Sequence, residues 1–250
     1  MNKDNGFIYI VFGNSFNREA NYSIQSLLNK NKNSKVALFT DDINSFNNIE
    51  SEKLIKYLIK PEHIRAKVDF ISESPFQNSI YLDSDTFILQ NIEDVFDCFS
   101  RDDVLVTRCF ERERENYNHI KEYKAIPYGF SEVNGGFLGF KKNAVTDEFF
   151  KLWKKYFYKY KKNTSGWDQV SLRIALWQSK VRLNFLPYEY NTRSIENRIK
   201  LLNNKKILGE NHLEPKVFHM HYNSEVHNNE FKINNIEELE KILRNKAYLI

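Results

Sequence analysis

Apolar residues in the first half of the chain form short runs, separated by polar turns and by one stretch with helical spacing. Strands are predicted at residues 7–12, 35–40 and 54–59. Between the first two strands, apolar side chains recur every three or four residues, which predicts a helix over residues 17–29. This strand–helix–strand order is typical of a mostly parallel central sheet flanked by helices, so the pattern predicts an α/β fold.

The rest of the chain adds helices and shorter strands. The clearest helix covers residues 147–162, where aromatic side chains form a wide stripe and lysines take many other positions. We interpret this helix as packing on the core; a basic surface facing anionic lipid is the alternative. Further helices are predicted over residues 61–74, 92–99, 166–177 and 235–249, an exposed loop or short helix over 111–124, and strands over 104–107, 133–140, 181–186 and 216–222.

Composition limits the class of protein. Of 250 residues, 41% are hydrophobic and 15% aromatic, which is typical of a globular chain. We expect one domain over residues 1–250, with a C-terminal helical tail from about residue 226. The net charge of +4 is too small to indicate nucleic-acid binding. No apolar run is long enough to predict a transmembrane helix, and the first apolar run reads as a strand rather than a signal peptide.

The two cysteines indicate the compartment. Cys98 and Cys109 lack the spacing of a metal site and cannot build a multi-disulfide framework. We therefore expect reduced thiols in a cytoplasmic protein.

Two carboxylates one residue apart end the apolar run at residues 80–82. Asp83 and Asp85 flank Ser84 at the expected C-terminal end of a buried strand. Open α/β sheets bind ligands at that edge. Hard divalent cations such as Mg²⁺ or Mn²⁺ take oxygen ligands and bridge to substrate phosphates. The sequence therefore predicts a metal-and-diphosphate site at this point.

The first strand ends in a turn formed by Phe12, Gly13 and Asn14. The helix that follows offers N-terminal amides to a nucleotide or its phosphates. The sequence has neither the dinucleotide-binding glycine fingerprint nor a P-loop. Asp41 and Asp42 follow the second strand, either to hold a base or ribose or to begin the next helix.

Lysines and glycines elsewhere have both functional and structural interpretations. Arg65 and Lys67 offer cations to a diphosphate, or they belong to a solvated helix face. Asn134, Gly135 and Gly136 either allow close approach of the backbone to a ligand or form a turn or bulge.

Three further polar residues are candidates. Asp168 suits the first turn of a helix for dipole reasons alone. His219 and His221 share one side of a predicted strand, where they serve either as a pair of metal ligands or as structural and surface residues.

The order of these features resembles that of the nucleotide-diphospho-sugar transferases of the GT-A fold, which carry a DxD motif. It is most similar to the bacterial group related to glycosyltransferase family eight. The resemblance covers about residues 7–222 and rests on four ordered segments: RAKVDFISESPFQNSIYLDSDTFIL, VNGGFLGFKKN, DQVSLRIALWQSKVRLNFLPYEYN and KVFHMH. An acidic pair alone recurs by chance, whereas four segments in this order are specific.

The resemblance implies a metal site and a cation. Asp83 and Asp85 would hold Mn²⁺ or Mg²⁺ bridging the donor phosphates, with His219 as a further ligand and His221 as its alternative. Lys67 matches a basic residue near those phosphates.

The resemblance also implies a donor site. Asn134 and Gly135, with Gly136, match the region beside the donor sugar, and Asp168 and Gln169 match the pair facing the reacting sugar. Phe12, Gly13, Asn14, Asp41 and Ser84 complete the predicted donor-binding set. The family's Lys-Pro-Trp after the histidine is missing, which leaves Lys67 and Lys216 as candidates to neutralise the leaving diphosphate.

The implied function is a metal-dependent glycosyltransferase. It would move a sugar from a nucleoside-diphosphate sugar, with a UDP-sugar favoured, to a glycan or lipid-linked acceptor in surface polysaccharide biosynthesis. It would act in the cytoplasm, either free or at the inner face of the membrane. Two alternatives stay open: a haloacid-dehalogenase-like phosphohydrolase, for which Thr86 stands one position too early, and a nucleotide-sugar-binding protein without catalysis.

Overall fold

The structure is a computed structural model that describes residues 4–50, 52–109, 116–193 and 214–219. In chain order its elements are β1 (Asn5–Val11), α1 (Asn14–Lys30), β2 (Val36–Thr40), β3 (Leu54–Leu58), α2 (Lys67–Phe70), β4 (Asn78–Leu82), β5 (Thr86–Ile88), β6 (Val104–Arg108), α3 (Lys121–Lys124), β7 (Val133–Lys141), α4 (Ala144–Tyr160), α5 (Gln169–Gln178), β8 (Leu183–Phe185) and β9 (Val217–His219). Short 3-10 helices lie at Ile43–Phe46, Ile71–Glu73, Glu93–Ser100 and Tyr188–Tyr190. The predicted helix at residues 235–249 and the tail from residue 226 lie outside the described residues.

Seven strands form the main sheet, in the order β3–β2–β1–β4–β7–β6–β8. The pairs from β3 to β4 are parallel, β7 is antiparallel to both of its neighbours, and β8 is again parallel to β6. β5 and β9 form a separate antiparallel pair. The predicted α/β fold with a mostly parallel sheet is confirmed.

Side-chain alternation along β1 divides the core between the two faces of the sheet. Phe7 and Tyr9 belong to the layer that contains α1, whereas Ile8 and Ile10 belong to the layer of α4 and α5. All four side chains are buried. A strand covered on both faces needs such a continuous apolar run, which is why the pattern predicted it.

The aromatic stripe of α4 packs on the core, as predicted. Trp153 is fully buried in the layer against the sheet. Two lysines on the outer side are paired with acids: Lys154 Nζ lies 2.8 Å from Asp69, and Lys159 Nζ lies 2.7 Å from Glu122. These two lysines are therefore already neutralised by acids, which weakens the alternative that α4 faces anionic lipid. Among the described residues, no helix combines the length and the apolar character needed to cross a membrane.

The predicted helix over residues 61–74 is wrong for its first half. Only the single turn of α2 and the 3-10 turn at Ile71–Glu73 are helical. His63 Nδ1 accepts the Arg65 N–H at 3.2 Å, and this bond replaces the backbone bond that a helix from residue 61 needs. The described part of residues 111–124 contains the short helix α3, whose Tyr123 is buried rather than exposed.

Asp103, just before β6, joins three parts of the fold. Its carboxylate accepts bonds from the backbone N–H and the guanidinium of Arg182, which precedes β8, each at 3.0 Å. A fourth bond, also 3.0 Å, comes from Asn143, the N-cap of α4. The hydrogen bonds from Arg182 hold the pKa of Asp103 well below its usual range.

Replacing Asp103 with asparagine is expected to lower the free energy of unfolding by about 1–3 kcal/mol near neutral pH, because a buried carboxylate that accepts four hydrogen bonds becomes a neutral amide with fewer acceptor sites. Since the folded pKa is depressed, the stabilisation is complete above the unfolded carboxyl pKa of about 3.9 and is lost as pH falls toward the folded pKa. Urea unfolding at several pH values should therefore show the difference from wild type shrinking below about pH 4. A difference that stays constant with pH would contradict this account.

Candidate functional site

A cleft of about 190 Å³ opens at the carboxyl edge of the main sheet, beside the ends of β1 and β4. These two strands are parallel neighbours, and ligands of open α/β sheets bind at this edge. The segment that leads into α2 forms another wall. The lining residues include Phe12, Phe16, Arg65, Lys67, Tyr81, Asp83, Ser84 and Asp85.

Asp83, Asp85 and His219 offer ligand atoms that all lie within 4.8 Å of one another. The acids directly follow β4, whereas His219 ends β9 and reaches them because β9 pairs with β5, with His219 opposite Thr86. His219 Nε2 lies 3.2 Å from Asp85 Oδ1 and 3.8 Å from Asp83 Oδ2. Carboxylate oxygens suit Mg²⁺ and Mn²⁺, and imidazole is a common metal ligand. The residues therefore fit a divalent metal.

Asn191 orients the His219 ring, although the sequence patterns assigned it no role. Asn191 Oδ1 lies 2.8 Å from His219 Nδ1. Asn191 Nδ2 donates to Thr107 Oγ1 at 2.6 Å and to Asn134 Oδ1 at 2.9 Å. Because these donations set which end of the amide faces the ring, Nδ1 is the donor in this bond, and Nε2 is the nitrogen that faces the two acids. Metal-binding histidines are held through their other ring nitrogen in this way.

The segment Asn134–Gly136 in β7 passes directly beside the acids. Gly136 O accepts the Asp83 N–H at 3.0 Å. A Cβ on Gly136 would lie 2.0 Å from His219 Cε1 and 2.9 Å from Asp83 Oδ2, so only glycine allows this approach. Asn134 Oδ1 accepts the Gly136 N–H at 2.9 Å, so its carbonyl supports the segment.

Lys67 lies among the acids of the site. Its buried Nζ is 3.1 Å from Asp83 Oδ1, 3.4 Å from Asp168 Oδ2 and 3.2 Å from Gly135 O. Burial lowers the pKa of Lys67, but the charges of Asp168 and Asp83 outweigh that effect and the net pKa is raised. The Tyr81 hydroxyl donates to Asp83, and burial, followed by the charge of Asp83, raises the pKa of Tyr81 well above its usual value. The site thus holds a charged ammonium and a neutral phenol.

Asp168 joins the site from the N-cap of α5. It is buried, with Oδ1 3.5 Å from Arg65 Nε and Oδ2 facing Lys67. Gln169, the first residue of α5, is half-buried. In the part of the chain that the structure describes, it makes no polar contact with the residues of the cleft. The structure therefore brings Asp168, but not Gln169, to the acids and cations.

The turn after β1 is held by an acid. Phe12 lines the cleft, and Gly13, with φ 85°, precedes Asn14 at the start of α1. The Gly13 N–H donates to Asp41 Oδ2 at 3.1 Å, so Asp41 fixes the turn. Asp42 accepts the N–H of Asn44 and caps the 3-10 helix at Ile43–Phe46, which matches the structural interpretation of that residue.

The remaining candidates are distant or undescribed. His221 lies outside the described residues. Lys216 Nζ contacts Asp94 Oδ2 and Tyr190 OH, each at 3.0 Å, so this cation is engaged elsewhere. Of the two candidate lysines, Lys67 is therefore the one that lies at the acids.

Comparison with known proteins places the chain among related sequences and folds. Residues 77–236 match the family profile described as nucleotide-diphospho-sugar transferase. A search of curated protein sequences finds no match.

Several solved structures share the fold. The galactosyltransferase LgtC, solved with donor and acceptor sugar analogs, has a TM-score of 0.60 and 11% identity, over 97% of this chain and 95% of that one. GlyE from Streptococcus pneumoniae TIGR4 has a TM-score of 0.63 and 16% identity, over 98% of this chain and 61% of that one. The bifunctional glycosyltransferase WbbM has a TM-score of 0.63 and 13% identity, over 100% of this chain and 50% of that one. The chain therefore spans about half the length of WbbM. These neighbours confirm the GT-A fold.

Proposed function

Since this chain belongs to the nucleotide-diphospho-sugar transferase family, we propose that it is a metal-dependent glycosyltransferase that uses a nucleoside-diphosphate sugar. The observation that carries the proposal is the convergence of Asp83, Asp85, His219 and the Lys67 ammonium at one sheet edge. Two carboxylates alone repel a diphosphate. A divalent metal held by the two carboxylates and His219 would reverse the local charge and attract the diphosphate.

Asp83, Asp85 and His219 would hold the metal, and the mixed oxygen and nitrogen donors favour Mn²⁺ over Mg²⁺, which takes oxygen ligands. When bound, the metal supplies Lewis-acid stabilisation of the charge on the diphosphate. Lys67 supplies a fixed positive charge beside the same position, and burial keeps competing water away from it.

Transfer breaks the bond between the anomeric carbon and a diphosphate oxygen, and the electron pair leaves with the diphosphate. The acceptor hydroxyl oxygen forms the new bond to that carbon, and its proton passes to Asp168 or to the departing diphosphate. Asp168 is positioned for this role because Lys67 and Arg65 hold its two oxygens. We assign Gln169 to the ring face of the sugar by its place next to Asp168.

We further propose a UDP-sugar donor, a glycan acceptor and a place in surface polysaccharide biosynthesis within the cytoplasm. Phe12 and Phe16 support the donor assignment, because both line the cleft and aromatic rings suit the flat base of a nucleotide. Gly13, Asn14, Asp41 and Ser84 belong to the same proposed donor site. A lipid-linked acceptor has less support than a glycan, because Lys154 and Lys159 of α4 are already paired with acidic side chains.

A thermal-shift screen of nucleoside diphosphates with and without Mn²⁺, followed by donor hydrolysis assays with UDP-sugars, tests the proposal. We expect UDP and Mn²⁺ together to raise the melting temperature more than either alone, because each completes the other's site. Metal-dependent binding without turnover would favour the non-catalytic alternative. A phospho-aspartate trapped at Asp83 by a phosphate analogue would favour the phosphohydrolase. No shift with any nucleotide would overturn the proposal.

Replacing Asn191 with alanine is expected to weaken Mn²⁺ affinity by about 10–100-fold, because the His219 ring loses the acceptor that sets its tautomer. Titration calorimetry with Mn²⁺ measures the change directly. Asn184→Ala is the matched control: this asparagine side chain bonds to Asp102, away from the acids. Equal Mn²⁺ affinity in the Asn191 variant and wild type would show that His219 is not a ligand or needs no support.

A further inference from the structure

Trp167 is a solvent-facing aromatic residue directly before Asp168. Trp167 is 54% exposed, whereas Asp168 is only 4% exposed. Single exposed apolar residues are ordinary on protein surfaces, so exposure alone indicates nothing. The position matters here because the next residue is the proposed proton acceptor.

The loop that carries Trp167 is built to hold it in place. Thr164 is buried, and its Oγ1 donates to the Trp167 carbonyl at 3.0 Å, while the Trp167 N–H donates to Thr164 O at 2.9 Å. Ser165 and Gly166 have φ values of 50° and 79°, which turn the chain sharply between α4 and α5. These bonds fix the backbone of Trp167 between the two helices.

Arg65 connects the indole to the catalytic cleft. Its guanidinium carbon lies 4.8 Å from the centre of the Trp167 ring, and its Nε lies 3.5 Å from Asp168 Oδ1. Arg65 also lines the cleft. One guanidinium therefore contacts both the ring and the carboxylate, and the part of the ring that Arg65 does not cover is open to solvent one residue from Asp168.

The other tryptophans are used differently. Trp153 is fully buried in the core. Trp177 is 44% exposed, but its ring packs edge-on against Phe130 with the centroids 5.3 Å apart. Trp167 thus combines exposure with a cationic support, Arg65, that itself lines the cleft.

We propose that Trp167 is a stacking platform for a pyranose ring of the acceptor and determines how an acceptor hydroxyl is placed at Asp168. The C–H groups on one face of a pyranose carry partial positive charge and complement the negative face of an indole. This inference rests on the proposed function, because it assigns the acceptor a place beside the donor cleft.

The test compares wild type with Trp167→Ala, Trp167→Phe and the control Trp177→Phe. Methyl glycosides of glucose, galactose and N-acetylglucosamine are titrated in the presence of UDP and Mn²⁺, and tryptophan emission is recorded. We expect at least one glycoside to change the emission of wild type and of Trp177→Phe, but not that of Trp167→Ala. Near-UV circular dichroism and thermal unfolding verify that each variant is folded.

Kinetics with the glycoside that binds give a second measurement. Trp167→Ala should raise the acceptor KM and lower the ratio of transfer to donor hydrolysis, each by about 10-fold, with Trp167→Phe recovering part of the loss. An acceptor KM equal to that of wild type would overturn the platform.

Two further outcomes are distinguishable. Emission that responds to phosphatidylglycerol vesicles but to no glycoside would make Trp167 a lipid contact and overturn the inference. Wild type that hydrolyses donor while no glycoside changes its emission would overturn the platform and leave the transferase intact. Absence of donor hydrolysis would count against the proposed function alone, because the emission titration needs no turnover.

Discussion

Replacing Asp85 with asparagine is expected to reduce Mn²⁺-dependent donor hydrolysis by about 10³-fold. The variant keeps the size of the side chain but removes one negative charge from the proposed metal site, where Asp85 Oδ1 lies 3.2 Å from His219 Nε2. Lewis-acid stabilisation is worth several kcal/mol, and each ~1.4 kcal/mol corresponds to tenfold in rate. Initial rates at a fixed UDP-sugar concentration over a range of Mn²⁺ concentrations measure the loss.

Metal-free stability separates this effect from misfolding. Asp85 stands beside Asp83, so removing one of two like charges should leave the metal-free melting temperature unchanged or raise it. Asp97→Asn is the control, since Asp97 is an exposed acid on the 3-10 helix at Glu93–Ser100. A rate for Asp85→Asn equal to that of the control would show that the acids hold no catalytic metal.

Replacing Gly136 with alanine is expected to weaken metal binding strongly while the main sheet persists. The added Cβ would lie 2.0 Å from His219 Cε1 and 2.7 Å from His219 Nδ1, so the imidazole must leave its position and its bond to Asn191. We expect Mn²⁺ affinity to fall by about 100-fold or more, since a ligand is displaced and not merely its support. Mn²⁺ titration and circular dichroism together measure the two effects.

Two other glycines provide graded controls for that variant. At Gly129 a Cβ would meet nothing within 4 Å, so Gly129→Ala should bind Mn²⁺ like wild type. At Gly135 a Cβ would lie 3.3 Å from Lys67 Nζ, the flexible end of a side chain, and a small loss is expected. If Gly135→Ala and Gly136→Ala lost the same affinity, the close contact with His219 would not be the cause.

The interior of the sheet was predictable because burial on both faces demands continuous apolar runs. The strand that ends at Leu82 and the acids that follow it were identified from that pattern, and the resemblance singled out His219 and Lys67 among residues that already had two interpretations. The helix over residues 61–74 was not predictable in this way. There a side-chain bond from Arg65 N–H to His63 replaced the helical backbone bond, and local spacing does not encode such competition.

The site residues show the same division. The resemblance implied a place for Asn134 beside the sugar, and its side-chain carbonyl accepts bonds from Gly136 and Asn191. Asn191 closes the third resembling segment but carries no local signal of its own. Its importance comes only from facing His219 Nδ1, a contact between the end of a 3-10 helix and the end of β9 that no periodicity reports.

The sequence by itself determined the α/β class, the strand end that carries Asp83 and Asp85, and the core-packing role of α4. These follow from hydrophobic periodicity, which acts within one element. Only the tertiary structure decided that Lys67 lies between Asp83 and Asp168, that Gly136 must lack a Cβ, and that Trp167 shares Arg65 with Asp168. Such arrangements depend on contacts between distant elements, and side chains acquire those neighbours only when the sheet and helices pack.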